Sequence, residues 1–130
     1  MMARVTLILV AAFLAANGAF MLTTPMTWYY SIDSVPLTGP LNTHFVRDIG
    51  CAYLAAATGV LLGALRPDWL LPGCITALVF VGGHALVHAA EAALGEAGGL
   101  GLIDLLGIYG PPLLLVALLT ARPRPAPAGG

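Results

Sequence analysis

Hydrophobic residues dominate four stretches of the chain, and short segments rich in polar or turn-forming residues separate them. The stretches cover residues 5–22, 45–65, 69–94 and 100–120. A helix needs about 20 mostly apolar residues to cross a bilayer. Each stretch is also apolar around most of its circumference, as expected of a helix that faces lipid. The pattern therefore predicts an all-α protein, a four-helix transmembrane bundle.

The boundaries of these stretches carry residues that stop helices. They are Pro25, the Arg66-Pro67-Asp68 break, and Gly95, Gly98 and Gly99. Residues 123–130, rich in proline and glycine, are expected to form a disordered tail, which leaves one membrane domain over residues 1–122. Pro111 and Pro112 lie inside the fourth stretch, where they are expected to kink the helix or open its hydrogen bonds.

The composition is that of a membrane domain rather than of a soluble globular domain. Charged residues make up 8% of the 130 and apolar residues 59%, whereas about 25% of a soluble domain is charged. The net charge is −1 and there is no lysine, so the basic surface of a nucleic-acid-binding protein is excluded. Cys51 and Cys74 lack the spacing of a zinc site or disulfide framework and are interpreted as small core residues.

The arginines predict the orientation of the four spans. With four crossings, Arg4, Arg66, Arg122 and Arg124 fall on one side, and Arg47 is the exception. The positive-inside rule then places both termini in the cytoplasm (N-in/C-in), with residues 25–44 and 95–99 facing outward. In an alternative interpretation, the first stretch is a signal peptide cleaved near residues 16–18, which would leave three spans.

The first outward connection contains a cluster of aromatic residues, Trp28, Tyr29 and Tyr30. Such amphipathic rings are favoured in the headgroup layer, so an interfacial belt is the simplest interpretation. The alternative is a lid over a binding site.

Placing a polar side chain inside a membrane costs free energy, so each polar residue within a span is a candidate for a structural or functional role. Two helical faces carry titratable side chains at i, i+4 and i+7: His44, Asp48 and Cys51 in the second span, and His84, His88 and Glu91 in the third. At a rise of about 1.5 Å per residue, these groups lie in the outer half of the bilayer, and so do Asn17, Arg47 and Asp104. The sequence predicts a polar pocket that opens outward between the second, third and fourth spans.

Several chemistries fit such a pocket. One transition metal ion could be held by His44, Asp48, His84, His88 and Glu91, with Arg47, Asp104 and Asn17 as a supporting polar network. Imidazole and carboxylate ligands together suit copper, iron or zinc. Haem held by imidazoles from two helices, and a proton or solute relay, are alternatives. A purely structural interpretation is a packing network in which Arg47 pairs with Asp48 or Asp104.

The segment that begins at Asn42 reads NTHFVRDIGCAYLAAATGVLLGALRP. Its polar start, Arg-Asp-Ile-Gly step and glycine-rich apolar helix resemble small four-span bacterial membrane proteins, namely the DoxX-like proteins and related uncharacterised (DUF-type) families. The resemblance covers the second and third spans. It implies a four-helix bundle in the bacterial inner membrane and assigns no catalytic residue.

Together these features favour a multi-pass accessory or structural membrane protein with an outward-facing polar pocket. Gly59, Gly63, Gly82 and Gly83 would allow close helix contacts within the chain or with a partner, in a homo-oligomer or a larger membrane complex. The alternatives are a metal- or haem-dependent membrane oxidoreductase and a proton- or solute-handling protein. The chain has no phosphate-binding loop, nucleophile elbow or dinucleotide fingerprint, so enzymatic activity is left open.

Overall fold

A computed structural model describes residues 1–95 and 101–121. Over this part of the chain the fold is all-helical, which confirms the predicted class. The α-helices are α1 (Met2–Thr23), α2 (Pro25–Ser31), α3 (Thr43–Leu65), α4 (Leu70–Leu94) and α5 (Leu102–Thr120), and short 3-10 turns cover Val35–Leu37 and Pro67–Trp69. The predicted tail at 123–130 lies outside the described residues.

Three of the described helical segments are long and apolar enough to cross a membrane. They are Met2–Thr23, Thr43–Leu65 and Pro67–Leu94. The fourth predicted span corresponds to α5, where the apolar segment Asp104–Thr120 is shorter. By length and composition, therefore, α1, α3 and α4 are candidate membrane spans, and α5 is a shorter apolar helix.

Local sequence explains where α3 and α4 begin and end. The side chain of Asn42 accepts hydrogen bonds from the backbone N–H groups of His44 and Phe45, both at 3.1 Å, and so caps the start of α3. Gly95 ends α4 in the left-handed conformation, with φ of 75°, which glycine adopts without steric cost. Helix α5 includes Pro111 and Pro112, which are both buried.

The helices pack in a row in which α1 contacts α3, α3 contacts α4, and α4 contacts α5, while α5 also touches α1. Glycine sets the closest approaches. A Cβ atom on Gly18 would lie 2.7 Å from the carbonyl oxygen of Gly50, and one on Gly73 would overlap the carbonyl oxygen of Gly59. The backbones of α1 and α3, and of α3 and α4, are therefore in direct contact, as small residues allow in membrane helices.

The four glycines selected from the sequence divide into two pairs. Gly59 and Gly63 lie at the contact between α3 and α4, where an added Cβ would approach backbone atoms. A Cβ on Gly82 would meet only a side chain of its own helix, and one on Gly83 would meet no atom within 4 Å. Helix packing within the chain therefore explains the glycines at positions 59 and 63, but not those at positions 82 and 83.

Neighbouring long helices run antiparallel. Gly18, late in α1, meets Gly50, early in α3, and Gly63, late in α3, meets Leu70 at the start of α4. The start of α1, the end of α3 and the start of α4 thus lie at one end of the bundle. The end of α1, the start of α3 and the end of α4 lie at the other.

The buried core lies toward the end of the bundle where the chain begins. It is formed by Leu7, Val10, Ala11 and Leu14 of α1, Ala56, Ala57 and Val60 of α3, Cys74, Ala77 and Val81 of α4, and Leu115 of α5. The prediction of a core cysteine holds for Cys74 and is wrong for Cys51, which is exposed on α3. None of the described charged residues is buried.

Candidate functional site

A cavity of about 840 Å³ (the end cavity) occupies the end of the bundle away from the core. Residues of α1, α3, α4 and α5 form its walls, and residues of the connection between α1 and α3 cover it. The predicted polar site residues that line it are Asn17, His84, His88, Glu91 and Asp104. The antiparallel packing is the reason, because it brings the end of α1, the end of α4 and the start of α5 to the same level.

The polar wall consists mainly of one face of α4. His84 and His88 lie one turn apart, with ring centroids separated by 4.6 Å and ring planes perpendicular. One turn further on, the carboxylate of Glu91 lies 3.6 Å from Nδ1 of His88. The side chain of His88 is 18% exposed and that of Glu91 40%, so the row runs from the interior of the cavity toward its rim.

His84 is the deepest of these titratable residues. Its imidazole stacks on the ring of Phe80 with a centroid distance of 6.3 Å and meets the edge of Tyr53 at 6.5 Å. Within the described part of the chain, no group hydrogen-bonds to the His84 imidazole or the Tyr53 hydroxyl. Both groups line the end cavity, so both are available to a bound molecule.

Asp104 combines a local role with a place in the cavity wall. Its carboxylate accepts a hydrogen bond of 3.2 Å from the backbone N–H of Gly101, just before α5. A carboxylate in the first turn is favoured by the positive end of the helix dipole. Helix α5 thereby holds this carboxylate in the wall of the cavity that the polar face of α4 also lines.

The apolar wall was missed by reasoning from the sequence. Phe13, Phe45 and Phe80 contribute aromatic rings from three different helices, and Ile49 and Leu106 add aliphatic side chains. In helices that are apolar all round, nothing marks which rings face a cavity and which face lipid.

Residues 24–41 (the cap) cover the end cavity, where one side-chain hydrogen bond joins the cap to α1 and another is internal to the cap. The indole N–H of Trp28 donates to the side-chain oxygen of Asn17 at 2.9 Å, and the hydroxyl of Tyr29 donates to the carbonyl of Gly39. Trp28 lines the cavity, Tyr29 is buried, and Tyr30 is exposed. The lid interpretation therefore fits Trp28 and Tyr29, whereas only the exposure of Tyr30 suits an interfacial belt.

The start of α3 is at the same end of the bundle, but its polar side chains lie outside the cavity. His44 and Asp48 form an exposed pair at 3.4 Å, with side chains 87% and 60% exposed. Arg47 donates from Nε to the carbonyl oxygen of Leu22 at 3.3 Å and so caps the end of α1. The expected pairing of Arg47 with Asp48 or Asp104 is not formed, since the ion pairs among the described residues are His44–Asp48 and His88–Glu91.

The rotation of α3 explains this arrangement. Gly50 must face α1 for the two backbones to touch, and Val46 and Tyr53 share that face at helical spacing. At 100° per residue, Asp48 lies about 200° from Val46 and points away from the bundle.

Consequently, the five-residue metal set is not assembled. Across residues 1–95 and 101–121, no group of three or more His, Cys, Asp or Glu side chains is placed to hold a metal ion. His84, His88 and Glu91 share the cavity without His44 and Asp48. Haem ligation by two helices lacks its second imidazole for the same reason, because both cavity histidines belong to α4.

Comparisons with models of known protein families, with curated proteins and with solved structures find no match. The functional argument therefore depends on the geometry of the end cavity.

Proposed function

We propose that this chain is a four-span protein of the bacterial inner membrane whose end cavity opens outward and binds an amphipathic small molecule. Its role is that of an accessory, non-catalytic membrane protein. The observation that carries this proposal is the end cavity itself, which combines polar side chains with aromatic rings beneath a cap that is hydrogen-bonded to α1.

Helix length and charge support the four-span topology. At about 1.5 Å per residue, the 19 residues of α5 extend about 28 Å, close to the thickness of about 30 Å of the hydrocarbon core. Asp104 lines the cavity with the end of α4, whereas Leu115 joins the core near the start of α4, so α5 returns antiparallel. Arg4 and Arg66 then share one end of the bundle, which the positive-inside rule assigns to the cytoplasm. The resemblance to DoxX-like proteins supports the inner-membrane address.

The dimensions and lining suit a ligand with one polar and one apolar part. Small-molecule sites are commonly about 300–1,000 Å³ and mainly apolar, with a few converging polar groups. His84 and Tyr53 offer hydrogen-bonding groups with no partner in the described protein. The phenylalanine rings would cover the apolar part.

The closed core favours binding over transport or a proton relay. Beyond the cavity the path through the bundle is filled by apolar side chains, among which Leu14, Val60 and Leu115 have no exposed surface. A relay needs titratable groups or water along its length. The oxidoreductase alternative is also weakened, because the proposed metal set is divided between the cavity and an exposed helix face.

Photoaffinity labelling tests the proposed function. The purified protein in lipid nanodiscs would be irradiated with a neutral phenyl-alkyl diazirine, and the modified residues would be identified by mass spectrometry. We expect labelling at Phe80 and Tyr53 that excess phenylbutanol suppresses, because a cavity saturates. Labelling of the lipid-facing Val79, which is 74% exposed, should not be suppressed.

Matched histidine variants make this test specific. His84→Ala removes a ring from the cavity wall and should weaken the suppressible labelling, whereas His44→Ala removes an exposed ring at the same end of the bundle and should leave it unchanged. Labelling of the cavity residues that excess phenylbutanol never suppresses would contradict the proposed function.

A further inference from the structure

The charged residues that line the end cavity are all acidic. Glu91 and Asp104 line it, and its described lining contains no arginine or lysine. The nearest arginine along α3, Arg47, is exposed and is engaged with the carbonyl of Leu22. The only basic side chains in the described lining are therefore the imidazoles of His84 and His88, of which His88 lies 3.6 Å from the carboxylate of Glu91. Charges in a partly buried, lipid-surrounded cavity interact more strongly than charges in water.

Aromatic rings surround the same space on several sides. Phe13 of α1, Trp28 of the cap, Phe45 of α3 and Phe80 of α4 all line the cavity. The face of an aromatic ring attracts a cation through its quadrupole, and the attraction grows when the cation is desolvated. This feature is independent of the carboxylates and favours the same sign of ligand charge.

Helix α5 adds hydrogen-bond acceptors. Pro111 and Pro112 lie inside α5 and have no backbone N–H, so the carbonyl groups of Gly107 and Ile108 lack the usual donors four residues later. In a membrane, such carbonyls need partners from outside the helical ladder. Gly107 and Ile108 both line the end cavity, one turn after Asp104.

We infer that the end cavity selects an amphipathic organic cation, a protonated amine with an aryl or alkyl tail, over an anion or a neutral molecule of the same shape. The inference rests on the proposed function and names the chemical class of its ligand. The ammonium group lies between Glu91 and Asp104, and the tail packs against the phenylalanine rings. An anionic analogue meets two carboxylates and no arginine or lysine in the described lining.

Three probes with the same carbon skeleton separate charge from shape: phenylbutylamine, phenylbutanol and phenylbutyrate. Binding would be followed by the fluorescence of Trp28 in the full-length Trp69→Phe protein, in nanodiscs of zwitterionic lipid, with empty nanodiscs as the partition control. We expect saturable binding of the amine to be about tenfold tighter than that of the alcohol, equivalent to about 1.4 kcal/mol. The carboxylate should bind more weakly than the alcohol.

Conservative variants locate the source of the selectivity. Glu91→Gln and Asp104→Asn keep hydrogen-bonding side chains of the same size, including an acceptor for the N–H of Gly101. Together they should reduce the preference for the amine to less than about threefold while binding of the alcohol persists, which also shows that the variant is folded. Asp48→Asn removes an exposed carboxylate at the same end and should leave the preference intact.

The outcomes test the selection of a cation separately from the proposed binding of a small molecule. Equal binding of amine and alcohol, tighter binding of phenylbutyrate, or unchanged selectivity in the double variant would overturn the cation inference while the proposed function stands. Absence of saturable binding by all three probes would overturn both.

Discussion

At the scale of single residues, Asn17 connects α1 to the cap. Among the described residues of α1, it is the only one whose side chain forms a hydrogen bond with the cap. Its side-chain oxygen accepts from the indole of Trp28, a residue eleven positions later in the chain. An asparagine within an apolar helix is costly in lipid unless it is hydrogen-bonded. The contact with Trp28 offsets that cost and positions the cap over the cavity.

We predict that Asn17→Leu loosens the cap. The Trp28 N–H would lose its partner, and the loss of one such bond costs about 1 kcal/mol. In the Trp69→Phe background, the emission of Trp28 should shift, and residues 24–41 should exchange their amide hydrogens faster. A double-mutant cycle with Trp28→Phe, followed by amide exchange, is the control: if the two changes are additive, the contact does not hold the cap.

At the scale of helices, paired glycines determine how the bundle fits together. Gly18 with Gly50 and Gly59 with Gly73 bring backbone against backbone. Because such contacts allow little sliding or rotation, they fix which face of α3 looks into the cavity. The exposed position of His44 and Asp48 is a consequence of this geometry.

Two glycines of the same helix provide a matched test. Gly73→Ala would force a methyl group onto the Gly59 carbonyl and should destabilise the protein by about 1–3 kcal/mol, as overpacking does. Gly83→Ala meets no atom within 4 Å and should be neutral or stabilising by up to about 1 kcal/mol through helix propensity. Reversible unfolding in mixed micelles measures both. If the two substitutions change the free energy of unfolding equally, Gly73 does not lie in close contact with the Gly59 carbonyl.

At the scale of the whole molecule, the bundle is divided into a closed apolar half and an open polar half. The core cluster fills one half, and the end cavity, the cap and the described histidines occupy the other. Such a division suits a protein that receives a ligand from one side of the membrane.

Cysteine labelling in whole cells tests the topology of the bundle. In a Cys51→Ser background, with Cys74 fully buried, an impermeant maleimide should label Ser31→Cys from outside. It should label Asp68→Cys and Ala121→Cys only after permeabilisation. Labelling of Ala121→Cys together with Ser31→Cys but without Asp68→Cys in intact cells would show that α5 does not cross. Outside labelling of both Asp68→Cys and Ala121→Cys, without Ser31→Cys, would show the opposite orientation.

The order of apolar and polar residues along the chain was sufficient for the long helices but not for the short helix α2. Runs of apolar residues bounded by proline, glycine and arginine place α1, α3 and α4 within a few residues of their observed limits. Alternate crossings bring distant helix ends to one level, which is why Asn17, His84 and Asp104 could be grouped before any contact was known. These features follow from chain length, helix rise and the cost of polar groups in lipid.

Only the tertiary structure decided which of the grouped side chains meet. The helices are apolar on nearly every face, so hydrophobicity does not fix their rotation, and the rotation of α3 depends on the contact of Gly50 with Gly18. That contact turns His44 and Asp48 outward, and leaves α4 and α5 to supply the histidine and carboxyl side chains of the described cavity lining. The sequence offered a lid as one of two interpretations of the aromatic segment, and the contact of Trp28 with Asn17 that supports it forms only when α1 and α2 pack.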